Sequence, residues 1–223
     1  MEDQIVRLQE FVDGILMNRS TNIKILEAGC GSMMNIHFGE KAHITGIDIS
    51  ETQLLRNQEI DEKIVGDIQF YDFQPSSFDI IICWNVLEHV QNPTAALSRF
   101  VKAIKQDGII LLKLPNVLSI KGLLTKYTPH IFHVWVYKHL FGIVDAGKDD
   151  NAPFRTVLSY NIAPTEIKKF ALQHGLRIIY FASYDPEYYM SRLGAFFIFK
   201  RLIKYLSLGR LGDSDFIVAL QKG

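Results

Sequence analysis

Between residues 23 and 116 short apolar runs alternate with helical stretches, and this alternation constrains the fold more than any other feature of the chain. "IKILEAG" (23–29), "HITGIDI" (43–49), "EKIVGDI" (62–68), "SFDIIICWN" (77–85) and "GIILLKLPN" (108–116) read as strands. The fourth is continuously apolar, as a strand buried on both faces must be. Helices are expected between them over 51–60, with Ser50 as its cap, and over 93–105, with Pro93 in its first turn. A leading amphipathic helix carries Ile5, Leu8, Phe11, Val12, Ile15 and Leu16 at helical spacing. Beyond a break, 163–175 resumes a helix, while 176–184 and 213–223 supply a sixth and a seventh strand. The expected fold is α/β: a doubly wound, Rossmann-like, seven-stranded and mostly parallel sheet within one domain spanning 1–223.

Sheets of this kind bind ligands beyond the carboxyl ends of their strands, near the point where strand order reverses. Glu27–Gly31, Asp48, Asp67 and Trp84–Asn85 all fall at such ends, so four segments converge on one crevice. The first is "EAGCGSM", two glycines one residue apart with Glu27 just before them. A dinucleotide loop has a third glycine three positions on, and this chain has Met34 there. A glutamate at that turn repels a pyrophosphate but suits S-adenosylmethionine, which has no phosphate, an ammonium at its methionine end and a cationic sulfur. Asp48 lies 21 positions after Glu27, the spacing of an acid that accepts ribose hydroxyls, although a helix cap would also place an Asp there. Asp67 suits the adenine amino group, with Ile68 over the ring, or a plain turn.

Taken in order, "ILEAGCGSM", "ITGIDIS", "GDIQFYDFQPSSFDIIICWNVLEHVQNP" and "DGIILLKLPN" resemble the successive motifs of class I S-adenosylmethionine-dependent methyltransferases. The likeness is greatest to the group that includes the ubiquinone-biosynthesis O-methyltransferases, and it covers roughly residues 23–116. The resemblance implies that Glu27, Gly29 and Gly31 hold the methionine end of the cofactor and Asp48 the ribose. It also places Asp67 and Ile68 at the adenine and Trp84–Asn85 beside the cofactor. Cys30 and Ile49, within the same turns, complete the expected cofactor set. The chain departs from the family in "SMMNIHFGEKAH", too short and Met-rich for a full helix after the glycines. In "VLEHV", Glu88 and His89 are open to a catalytic or metal-holding role, but two ligands do not specify a metal site, and no metal is expected.

From 116 to 161 the alternation breaks into an aromatic, basic stretch too long for an ordinary connection, read as a lid over the crevice. His130 and His133, three apart and on one helical face, are the candidate general bases for an oxygen nucleophile. Tyr127, Trp135 and Tyr137 are the candidate acceptor contacts. Charge follows the same division: residues 1–115 carry 10 Lys+Arg against 16 Asp+Glu, and 116–223 carry 14 against 8. Residues 186–212 read as a basic amphipathic helical segment that either packs on the sheet, contacts an anionic membrane through 191–210, or joins two copies.

The expected activity is O-methylation of a small-molecule, glycan or lipid-linked acceptor. RNA or protein methylation and a non-catalytic methyltransferase-like partner are the alternatives. Basic residues interleaved with apolar ones form no phosphate-tracking stripe, so nucleic acid is not the expected partner. Two cysteines, Cys30 and Cys83, make no disulfide framework, and neither a secretory leader nor a membrane span is evident. The expected location is therefore the cytoplasm, either free or peripheral at the membrane.

Overall fold

The computed structural model describes residues 2–17, 22–39, 42–139, 142–148, 153–185 and 212–223. Its elements in chain order are α1 (Glu2–Met17), β1 (Ile23–Ala28), β2 (Ala42–Asp48), α2 (Glu51–Arg56), β3 (Glu62–Val65), β4 (Phe78–Trp84) and α3 (Pro93–Ala103). They continue with β5 (Ile104–Pro115), α4 (Ile120–Tyr127), α5 (His130–His139), a short 3-10 turn, α6 (Pro164–Gln173), β6 (Leu176–Tyr184) and β7 (Asp215–Lys222). The basic stretch 191–210, and with it the membrane or dimer contact expected of it, lies outside the described residues.

All seven strands join one sheet in the order β3-β2-β1-β4-β5-β7-β6. The strands run parallel except β7, which is antiparallel to both β5 and β6. Strand order reverses beside β1, so the crevice opens between the carboxyl ends of β1 and β4. Alternate side chains divide the sheet into two apolar faces. Ile25, Ile80, Ile82, Leu111 and Ile217 face the side covered by Leu8 and Val12 of α1. Leu26, Ile81, Leu112 and Phe216 face Leu97 and Phe100 of α3 and Ile167 and Phe170 of α6. Each fully buried Ile or Leu contributes about 1.5–3 kcal/mol, so the double-sided core dominates the stability.

Several boundaries differ from the periodicity, each for a local reason. Helix α2 ends at Arg56, not residue 60, because Asn57 turns extended and its backbone N–H closes the helix on Gln53 and Leu54. Strand β3 ends at Val65: Gly66 donates to the Asp48 carbonyl, and the Asp67 carbonyl then starts a turn by accepting from Phe70 and Tyr71. Strand β5 begins at Ile104 rather than 108, since Ile104 already pairs with Phe78 and an irregularity, with Asp107 at φ +58°, absorbs the offset.

No helix follows β1 within residues 29–39. Met34, Ile36 and Phe38 instead fill the α1-side core from an irregular chain. Gln9 of α1 fastens that chain, donating to the His37 carbonyl at 2.7 Å and accepting from its N–H at 2.9 Å. The turn is therefore not followed there by the positive helix end that receives a pyrophosphate.

Candidate active site

The turn after β1 is held from below. Gly29 and Cys30 donate to the Ile47 carbonyl at 2.7 and 3.2 Å, and Gly31 donates to Asp48 Oδ2 at 2.9 Å. The other oxygen of Asp48 accepts from Ser50 N–H at 2.9 Å, so its carboxylate splints the two loops together. Ser50 in turn caps α2 by accepting from Gln53 N–H. Asp48 therefore stands at the rim and pins both turns, while the cap of α2 is Ser50 rather than Asp48. Gly29 has φ +75°, and a Cβ there would collide with Val86 beyond β4, so glycine is required for conformation and for room.

Asn57 is the member of this group that motif reading missed. Its fully buried Nδ2 donates to the carbonyls of Cys30 and Gly31 at 3.2 and 3.3 Å and fixes the turn from the α2 side. The only sequence trace of this role was an Asn at a helix end. Cys30 turns its side chain into the α1-side core, where a Cβ at Gly46 would press on its sulfur, so only its backbone faces the turn. Burial, then Asp48 and Glu27, push its thiol up to about 12.

Glu27 is 3% exposed and has no side-chain hydrogen bond among the described residues. Burial first, and Glu59 second, push its carboxyl up to about 8. A buried carboxylate with no hydrogen-bond partner among the described residues could hold a cation, and an ammonium placed there would restore its charge.

Asp67 engages Gln69, accepting from its backbone N–H at 2.8 Å and from its amide at 3.0 Å. Ile68 does not reach the crevice surface: it is 4% exposed and packs in the α3-side core. The exposed apolar side chain on this rim is Ile49, at 75%. Trp84 is half-buried against the α1-side core, and Asn85 follows it at φ +54°, a left-handed conformation that Asn tolerates. Lys113 Nζ holds Asn85 Oδ1 at 2.6 Å and, on its other side, Asp215 Oδ2 at 3.1 Å. Lys121 donates to the remaining oxygen of Asp215 at 3.0 Å. Burial raises the Asp215 carboxyl, but Lys121 and Lys113 outweigh this and hold it below the usual carboxylate range.

The residues after β5 attach to the rim through "VLEHV". The Glu88 carbonyl accepts from Val157 and Leu158 at 2.8 and 3.0 Å, and His89 Nδ1 donates to the Arg155 carbonyl at 2.9 Å. Glu88 itself is buried, with Oε2 unpartnered and its carboxyl raised first by desolvation. Among the described residues no group of three or more His, Cys, Asp or Glu is arranged to hold a metal ion.

Helix α5 presents the candidate bases differently from expectation. Thr128 Oγ1 donates to the Leu124 carbonyl at 2.6 Å, so His133 Nε2, 2.6 Å from that oxygen, must carry a proton and donate. Burial and then His130 lower the His133 pKa, leaving Nδ1 as its basic atom. His130 lies 6.3 Å from it, ring to ring, with a buried and unpartnered Nδ1. Tyr127 is exposed and shares a 2.9 Å hydrogen bond with Tyr160, while Trp135 is exposed and stacks on Phe132. Tyr137 is half-buried, and its carbonyl accepts from Ile143. His133 bonds to Thr128, at the entrance of its own helix, rather than to an acid of the rim.

Known proteins resemble this chain in sequence and fold. Residues 2–144 match the family model described as a methyltransferase domain. The ubiquinone biosynthesis O-methyltransferase of Idiomarina loihiensis is 32% identical over 103 residues, covering 42% of this chain and 42% of that protein. The enzyme of the same name from Azoarcus sp. is 23% identical over 175 residues, 73% of this chain and 69% of its own. Among solved structures, a SAM dependent methyltransferase from Archaeoglobus fulgidus superposes with a TM-score of 0.60 at 16% identity, covering 99% of this chain and 94% of that one. A magnesium protoporphyrin IX methyltransferase from Synechocystis with bound SAH has a TM-score of 0.55 at 16% identity, covering 99% and 82%. The structural likenesses carry the fold, and the family match spans well over half of the chain and the whole glycine-turn rim. The chain therefore belongs to the methyltransferase-domain family, as a class I S-adenosylmethionine-dependent methyltransferase.

Proposed function

We propose that the chain transfers a methyl group from S-adenosylmethionine to an oxygen of a small-molecule acceptor, glycan-like or lipid-linked in character. The observation that carries the cofactor placement is Glu27, a buried carboxylate with no hydrogen-bond partner among the described residues, beneath a turn pinned by Asp48 and Asn57. In this reading Glu27 receives the methionine ammonium across Gly29–Gly31, and Asp48 keeps its two backbone bonds while its outer lone pairs meet the ribose. Asp67 faces the adenine edge, with Ile49 as apolar cover. Trp84 and Asn85 border the sulfonium.

Methyl transfer from a sulfonium is an in-line displacement, so the chain's contribution is mainly to hold donor and acceptor in line. The residues after β5 would close over the crevice as a lid, because 155–158 already bond to Glu88 and His89 at its edge. The oxygen acceptor is favoured by the matched relatives named O-methyltransferases. Calorimetry with S-adenosylhomocysteine tests the cofactor half. Saturable binding is expected, and Asp48→Ala should weaken it at least a hundredfold by freeing both loops. Unchanged binding in that variant would remove Asp48 from the site.

A further inference from the structure

On the α1 side of the sheet, four strands change character at the carboxyl rim. Ile25 gives way to Glu27, Ile82 to Trp84, Leu111 to Lys113, and Ile217 to Asp215, beside which Tyr184 stands as cross-strand partner. Lys113 is directly opposite Trp84 in register. A buried ion pair at that rung is no more stabilising than apolar residues of equal volume, so stability does not explain its presence. Two cations, Lys113 and Lys121, both reach the carboxylate of Asp215. Lys113 has three N–H donors, of which Asn85 and Asp215 take two. Tyr184 supplies a further donor: its hydroxyl is buried without a partner among the described residues, and burial followed by Asp215 keeps it protonated.

We propose that Lys113 and Tyr184 form the acceptor-oxygen subsite, holding a nucleophile that attacks as an anionic oxygen, either a phenolate or a carboxylate. Asn85 connects this subsite to the cofactor side of the rim, and Lys113 is a catalytic residue that touches the reacting oxygen. The acceptor loses its proton to solvent on binding. Its oxygen lone pair then forms the O–CH3 bond as the C–S bond breaks and the sulfur takes the bonding pair. The products are a methyl ether or ester, S-adenosylhomocysteine and the released proton. No side-chain base is required in the transfer step. The inference rests on the cofactor placement above.

The test titrates 4-nitrophenol, whose absorbance reports its ionisation, into the full chain saturated with S-adenosylhomocysteine. Bound probe should ionise at lower pH than free probe. Tyr184→Phe should weaken binding of the phenolate about tenfold or more, with product affinity and melting temperature unchanged, because the lost hydroxyl has no partner among the described residues. Lys113→Gln should abolish the low-pH ionisation, and Tyr184→Phe carries the test if that variant fails to fold. Benzoate as competitor separates the sources: displacement below the probe's own half-saturation marks a carboxylate acceptor, weaker displacement a phenolate. Ionisation unshifted on binding, absence of probe binding, or equal affinity in wild type and Tyr184→Phe would overturn the subsite. Absence of S-adenosylhomocysteine binding would instead overturn the cofactor placement beneath it.

Discussion

Among the described residues, a buried carboxylate at the mouth of β1 has no hydrogen-bond partner; two strands away, at the end of β5, a buried ammonium has two. Glu27 and Lys113 lie on the same face and at the same rim, yet the protein leaves one charge waiting and satisfies the other. The difference separates a carboxylate with no hydrogen-bond partner among the described residues from an ammonium that two partners orient while its third N–H is left over. Glu27 meets burial and Glu59, both of which favour its neutral form, so the site is held ready for a cation. Lys113 is locked between Asn85 and Asp215 and presents a fixed donor.

Removing Asp215 should break this contrast most severely. Asp215→Asn strands Lys113 beneath the rim with half its compensation gone, and the loss of folding stability should reach about 3–5 kcal/mol by denaturant titration. Its carboxyl is held below the ordinary 3.8 in the folded chain, so it contributes stability that is present above that value and fades as pH falls through the folded one. The variant should show a flatter acid limb. Gly29→Ala comes next: the left-handed backbone and the collision with Val86 together cost about 2–4 kcal/mol. Pairing it with Val86→Ala should recover the steric part but not the backbone part, a coupling that thermal melts of the four proteins would measure.

Glu27→Gln should act in the opposite direction on stability. The carboxyl titrates near 4.5 unfolded and about 8 folded, so the folded chain holds a proton that the unfolded chain lacks between those values. The stability from that proton is full below about 4.5 and is lost as pH rises through about 8. Glutamine needs no proton, and the variant should gain about 1–3 kcal/mol at pH 8 while losing affinity for S-adenosylhomocysteine. In the wild type that affinity should rise with pH toward 8, because an ammonium ligand favours the ionised acid; in the variant the dependence should vanish. A wild-type affinity that falls over that range would contradict the cation reading of Glu27.

Strand periodicity made the sheet legible, because burial on two faces leaves unbroken apolar runs such as Ile80–Cys83. The rim acids were equally legible, since strand ends locate them whatever the turns do. What escaped was long-range and polar. Asn57 grips the glycine turn from 26 and 27 positions away, and Lys113 meets Asp215 across 102 positions. A lone Lys inside an apolar run carries no mark of its partner until β7 is placed beside β5. Ile68 was misplaced over the crevice because a residue after a strand end can face either side of the sheet, and only the turn at Asp67 decides which.

The histidines of α5 stand at the far end of this scale, where periodicity supplied a shared face but not its environment. His133 spends Nε2–H on Thr128, and its lowered pKa leaves the ring neutral with a free Nδ1. If Lys113 and Tyr184 hold an acceptor that is already ionised, His133 has no proton to remove. His133→Gln, which can still donate to Thr128, should then change stability by less than about 1 kcal/mol and leave S-adenosylhomocysteine binding intact. The transfer rate should stay within about tenfold of wild type, with the same pH profile. A loss in the range of ~10²–10⁴, together with a vanished basic limb, is what removal of a general base produces. That outcome would move proton abstraction from the acceptor's own ionisation to α5, and with it the work of the second half of the rim to the segment that follows β5.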